Sequence, residues 1–104
     1  MKISKYCRYL FLTSPLTILT YYVNIAIEVM RIKTEENMHT LMLNNYSIMY
    51  HIEQKKNNLK QYYTARLNSK LRLIMKPVGN YPYELKKINE IELIEIDEKH
   101  YKEG

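Results

Sequence analysis

Residues 61–76 read QYYTARLNSKLRLIMK. Two runs rich in aromatic, β-branched and large apolar residues flank Asn68-Ser69-Lys70, and Asn-Ser is turn chemistry. The pattern predicts a β-hairpin, with strands over 62–67 and 71–76. Side chains alternate faces along a strand, so a slip by one residue moves the whole set to the other face. A three-residue loop sets Leu67 opposite Leu71, Ala65 opposite Leu73 and Tyr63 opposite Met75, a wholly apolar face. The other face then pairs Arg66 with Arg72, Thr64 with Ile74 and Tyr62 with Lys76. A two-residue loop would set Arg66 against Leu71 and Ala65 against Arg72, mixing the faces. The three-residue connection, a common one, is therefore expected.

Arg66 opposite Arg72 is unfavourable, because like charges directly across a sheet repel. The pair reads in two ways. It is either two solvated arginines that splay apart, or an anion site in which paired guanidinium forks hold a phosphate.

Charge along the chain is uneven. The net charge is +5. From Gln54 to Tyr83 there is no acid, and the basic residues are Lys55, Lys56, Lys60, Arg66, Lys70, Arg72 and Lys76. Residues 84–104 then carry seven acids against four lysines. A basic hairpin followed by an acidic strand suits a polyanionic partner, nucleic acid first; a basic domain with no such partner is the plainer alternative. The single cysteine, Cys7, cannot form an internal disulfide, which fits a reducing, cytoplasmic setting and excludes a cysteine-rich zinc site. His39, His51 and His100 lack tight metal-ligand spacing, and no cofactor motif is present.

Working outward from the hairpin, Lys55–Lys60 is a polar connection turning at Asn57-Asn58, and Ile48–Ile52 can be a strand. Pro77–Pro82 is a loop, residues 86–88 are ambiguous, and Glu90–Asp97 is the last strand. Ile91, Leu93, Ile94 and Ile96 place apolar groups on both of its faces, which predicts burial within the sheet. Residues 98–104 form a charged tail.

Towards the N-terminus, Lys2, Lys5 and Arg8 precede an apolar stretch from Tyr9 to Met30, the outline of a signal sequence or membrane anchor. Pro15, Asn24 and Glu28 interrupt it, and no small-x-small cleavage site comes after it. The soluble reading is a strand near 6–12, then a helix over 15–33 with Ser14 as N-cap and Pro15 in the first turn. Leu19, Tyr22, Val23, Ala26, Ile27 and Met30 recur at helical spacing along it. A second helix starts at Thr34, with Met38, Leu41 and Met42 as its apolar stripe, and ends near Asn44-Asn45. The chain of 104 residues is thus expected to be one α+β domain, an N-terminal helical hairpin packed on a small antiparallel sheet.

Residues 57–79, NNLKQYYTARLNSKLRLIMKPVG, resemble the central segment of HigB-type toxins of the RelE/ParE superfamily, the plasmid maintenance killer proteins. These commonly read like G-N-x-K-G-x-Y-S-x-R-L-x-x-x-x-R-L-I-F-K-P. IELIEIDEKHY near the C-terminus resembles their closing strand, and IAIEVMRIKTEENMHTLM resembles their second helix and the entry to the next segment. The resemblance covers residues 25–104; residues 1–24 do not share it. Where those proteins carry glycines around the basic turn, this chain has Asn57 and Gln61. Asparagine tolerates the left-handed conformation that a glycine allows, and glutamine does so poorly.

The resemblance implies a RelE-like fold and a ribosome-dependent mRNA endonuclease that needs no metal or cofactor. It also implies a helix-turn-helix antitoxin as partner, with mRNA and the ribosome as targets. In such enzymes the RNA 2′-hydroxyl attacks its own phosphate. The protein assists proton removal, stabilises the dianionic transition state and protonates the leaving oxygen. Arg66 and Arg72 match the two arginines of the pattern. His100 matches the C-terminal histidine, with Asp97 and Tyr101 beside it, and His51 lies near the place of a histidine that precedes the turn. Lys56 and Lys60 match the basic loop, within the run that also holds Lys55, Lys70 and Lys76. Two alternatives stand beside this one: a non-catalytic toxin of the same fold that inhibits gyrase, and an inactive copy that binds only antitoxin, with membrane association through residues 9–30 as a variant.

Overall fold

The computed structural model describes residues 1–7, 18–43, 51–67 and 71–97, with side chains from Val23 onward in the first helix. The elements run β1 (Lys2–Lys5), α1 (Ile18–Thr34), α2 (Met38–Leu43), β2 (Ile52–Gln54), β3 (Tyr63–Arg66), β4 (Arg72–Pro77) and β5 (Glu90–Asp97). The strands form one sheet in the order β1-β5-β4-β3-β2.

The hairpin register is the expected one. Tyr63 lies across from Met75, Thr64 from Ile74, Ala65 from Leu73 and Arg66 from Arg72. The Leu67 amide donates to the Leu71 carbonyl at 3.0 Å, closing the hairpin on either side of residues 68–70, which lie outside the described residues. The apolar face forms the core: Tyr63, Ala65, Leu73 and Met75 are buried with Ile52, Ile91 and Leu93, under Ile25 and Ile32 of α1 and Met38 and Leu41 of α2. Strand β5 has the predicted bounds, Glu90–Asp97. Its burial is less complete than expected. Ile91 and Leu93 are buried, whereas Ile94 and Ile96 are partly exposed. The pairing shifts between Ile74 and Met75, where Ile74 faces Glu95 and Met75 faces Leu93. Ile94 is the extra residue of this bulge, and it lines the face away from the helices.

Three expectations for the N-terminal part are corrected. The domain does not open on a helical hairpin. It opens on β1, four residues earlier than the strand expected near 6–12, and residues 8–12 lie outside the described residues. Nor is the sheet wholly antiparallel, since β1 pairs parallel with β5. The Met1 ammonium donates to the carbonyls of Ile32 and Lys33, at 3.0 and 3.1 Å, and to that of Glu35. These carbonyls lie at the end of α1, where a positive charge is favourable. The third correction concerns which face of α1 is buried. The residues turned inward are Ile25, Glu28 and Ile32, while Val23, Ala26, Ile27 and Met30 of the expected stripe are exposed, Met30 by 66%. Ser14, Pro15 and the side chains of Leu19 and Tyr22 lie outside the described residues.

Glu28 explains why that face was hidden in the sequence. It is fully buried, which a carboxylate tolerates only with a partner. Arg31 Nη1, three residues on, reaches Glu28 Oε1 at 2.9 Å. Among the described residues, Oε2 has no hydrogen-bond partner. Burial outweighs the attraction of Arg31 and raises the carboxyl to about 7.

The second helix starts later than Thr34, whose hydroxyl still bonds back to the Met30 carbonyl of α1. Asn37 caps it: Asn37 Oδ1 accepts the Thr40 amide at 2.9 Å, and Thr40 Oγ1 accepts the Asn37 amide at 3.3 Å. Its stripe is as expected, with Met38 and Leu41 fully buried and Met42 partly so. Among the described residues, no helix is long and apolar enough to cross a membrane.

Candidate functional site

One face of the sheet carries the helices; among the described residues no α-helix packs on the other, here called the open face, and its side chains are set by the registers. Ile52 faces Ala65 on the buried side, so His51 and Glu53 of the adjoining positions point to the open side. The Arg66 amide donates to the His51 carbonyl at 3.0 Å, which puts His51 beside Arg66. Arg66 faces Arg72, and Arg72 faces Asp97. His51, Arg66, Arg72 and Asp97 therefore form one row across four chain segments. Strands lie about 4.8 Å apart, so the backbones of His51 and Asp97 are separated by about 14 Å, with both arginines between them. Side chains of this length, leaning inward, can approach a group the size of a phosphate from both ends.

The next row along holds Glu53, Thr64, Ile74 and Glu95. Beyond it lie Lys55, whose amide donates to the Tyr62 carbonyl at 2.9 Å, and Lys76, which faces Glu92. The charge pattern of the sequence thus becomes a pattern in space. The β2–β4 side of the open face is mostly basic, and the β5 side carries Glu92, Glu95 and Asp97. His51 Nε2 lies 3.4 Å from Glu53 Oε2 and forms an ion pair with it when protonated. Arg72 Nη1 donates to the Leu71 carbonyl at 3.2 Å.

The connection between β2 and β3 folds over this face through a single 3-10 turn, Asn57–Leu59. Asn57 adopts φ 58°, the left-handed conformation expected of a residue in a glycine's place. Among the described residues it is the only non-glycine with positive φ, so Gln61 is not asked to be left-handed. The Gln61 carbonyl instead accepts the Tyr83 hydroxyl at 3.0 Å, and the Gln54 side-chain amide donates to the Lys60 carbonyl at 2.8 Å. Both bonds fix the connection at its base. Lys56 and Lys60 are exposed on it.

Under this connection lies a cavity of about 400 Å³, lined by Lys55, Leu59, Tyr62, Ile74, Ile94, Glu95 and Asp97. Of the described residues singled out by sequence as site residues, Lys55 and Asp97 line it. Lys70, His100 and Tyr101 lie outside the described residues. The sequence pattern set Tyr62 on the polar face but gave it no role, read Ile94 only as a buried strand residue, and passed over Glu95 and Leu59. The pairing of β5 with β4 would have exposed Glu95, but the bulge at Ile94 has no mark in the sequence. Among the described residues, no group of three His, Cys, Asp or Glu side chains is placed to hold a metal ion.

The five-stranded sheet, with two helices on one face and a row of charged side chains on the other, is shared with a known structure. A solved structure that shares it is the YoeB/ParE toxin from Agrobacterium tumefaciens. It superposes with a TM-score of 0.56 over 97% of this chain and 100% of that one, at 16% sequence identity. At that identity the likeness is one of fold. No protein-family model matches the sequence, and no curated protein matches it.

Proposed function

We propose that this protein is the toxin of a toxin–antitoxin pair and cleaves mRNA on the ribosome without a metal. The observation that carries the reading is the row His51–Arg66–Arg72–Asp97, two cations flanked by two groups able to move protons. Arginines opposite one another are unfavourable for the fold, and a bound phosphate removes the penalty. In the reaction, the RNA 2′-oxygen forms a bond to phosphorus and the bond to the 5′-oxygen breaks. The products are a 2′,3′-cyclic phosphate and a 5′-hydroxyl. Arg66 and Arg72 stabilise the negative charge that grows on the phosphoryl oxygens. His51 and Asp97, from opposite ends of the row, serve proton removal and proton delivery. His100 and Tyr101 come after Asp97 in the chain and join this set in the proposal. Lys55, Lys56, Lys60, Lys70 and Lys76 hold the RNA backbone.

The partner in this reading is a helix-turn-helix antitoxin. The apolar stripe Val23, Ile27 and Met30 on α1, exposed by 53%, 40% and 66%, offers it surface to cover. The fold likeness to a YoeB/ParE toxin supports the toxin class.

Purified protein added to translating ribosomes in the presence of a chelator should cut the mRNA and leave 5′-hydroxyl ends. Intact mRNA with relaxed plasmid accumulating in cells would replace this reading with the gyrase-inhibiting one. Harmless overexpression without antitoxin would leave the inactive copy.

A further inference from the structure

We infer that the cavity under the β2–β3 connection is a nucleobase subsite that selects guanine; the inference rests on the RNA-cleaving reading and names what that site recognises. Its volume, about 400 Å³, is at the small end of the roughly 300–1,000 Å³ of small-ligand sites. Its walls suit a flat heterocycle. Ile74 and Ile94 form an aliphatic floor on the sheet, and Tyr62 and Leu59 close it from the connection. Bases taken out of a helix are commonly held by stacking on an aromatic ring and read along their Watson–Crick edges.

The position of the cavity relative to the arginines fits one nucleotide. Ile74 and Glu95 are two residues along their strands from Arg72 and Asp97, a step of about 7 Å. A phosphate over Arg66 and Arg72 therefore leaves its base to fall into the cavity. The polarity of the open face sets the direction: phosphate towards the basic side, base edge towards the acidic side.

The polar groups of the walls decide which base. Glu95, an acceptor only when ionised, faces the cavity from β5. Guanine presents two adjacent donors on its Watson–Crick edge, N1–H and the N2 amine, which match the two carboxylate oxygens. Adenine and cytosine present one donor beside an acceptor that a carboxylate repels. Uracil presents one donor between two carbonyls. Lys55, in the wall from the connection, is a donor for the guanine O6 carbonyl.

The test is binding of the four nucleoside 3′-monophosphates to the full chain by titration calorimetry, with cleavage of ribosome-bound mRNA mapped in parallel. The 3′-GMP should bind about tenfold tighter than 3′-UMP. Glu95→Gln, at an exposed position, should bring the four within about twofold of one another while leaving the circular dichroism unchanged. Tyr62→Ala should weaken all four alike. Equal affinities in the wild type, no binding of any of the four, or a guanine preference that survives Glu95→Gln would overturn the inference. The cleavage map reports separately. mRNA cut without base bias, with four equal affinities, removes the subsite and keeps the nuclease. Intact mRNA with a guanine preference removes the nuclease and keeps the subsite.

Discussion

The β3–β4 hairpin and helix α1 are both rich in apolar residues, yet only one of them shows its inner face in the sequence. In the hairpin, apolar residues at 63, 65, 67, 71, 73 and 75 alternate with Arg66 and Arg72, so one register keeps the charges together. In α1, apolar residues occur all round, and the polar residue that should mark the outside, Glu28, is fully buried against Arg31. Helical or strand periodicity reveals an inner face only where a polar face lies opposite it. The hairpin has one, whereas α1 has an outer surface of Val23, Ala26, Ile27 and Met30.

The sharpest break of that comparison is truncation of matched isoleucines on α1. Ile32→Ala, at a fully buried site, should cost about 2–5 kcal/mol in urea unfolding. Ile27→Ala, on the exposed stripe that helical spacing favoured, should stay within about 0.5 kcal/mol. Equal losses would mean that both faces of α1 are packed.

Glu28 gives the next effect. Its folded value, about 7, lies above the ordinary 4.5, so the folded state holds a proton that the unfolded state has released between those values. Stability is therefore highest at and below pH 4.5 as far as this group is concerned, and falls as pH rises towards 7 and beyond. The total is about 3 kcal/mol. Glu28→Gln should flatten that decline, as read from denaturant midpoints between pH 5 and 8; an unchanged slope would assign the pH dependence elsewhere.

A smaller effect separates the two substituted glycine positions of the connection. Asn57→Ala, at φ 58°, should cost about 1 kcal/mol, and Asn57→Gly should cost nothing. Gln61→Ala should be near neutral, because no left-handed conformation falls on it. The smallest effect is a gain. Arg66→Thr removes a like-charge pair across the sheet and should stabilise the fold by a few tenths of a kcal/mol while abolishing cleavage.

The same physical contrast explains what sequence could and could not show elsewhere. The hairpin register, the bounds of β5 and the stripe of α2 are local patterns, and each was legible. Strand β1 was not. Lys-Ile-Ser-Lys has a single apolar side chain, and its pairing with β5 joins residues far apart in the chain. The second helix begins after Asn37 rather than at the expected Thr34, because the Asn37 side chain pairs reciprocally with Thr40. Within the candidate site, the pairing of Arg66 with Arg72 came from the hairpin alone. Their alignment with His51 and Asp97 needed the neighbouring strands, and the cavity needed the bulge at Ile94 and the fold of the connection over it.

Cleavage of mRNA on translating ribosomes by the wild type and by Arg72→Ala, at matched folding by circular dichroism, tests the row most directly. Loss of one charge-stabilising group at the transition state should slow cleavage by about 3 kcal/mol, a factor of 100 or more. Cleavage by Arg72→Ala at the wild-type rate would contradict the assignment of the open sheet face as the site of the chemistry.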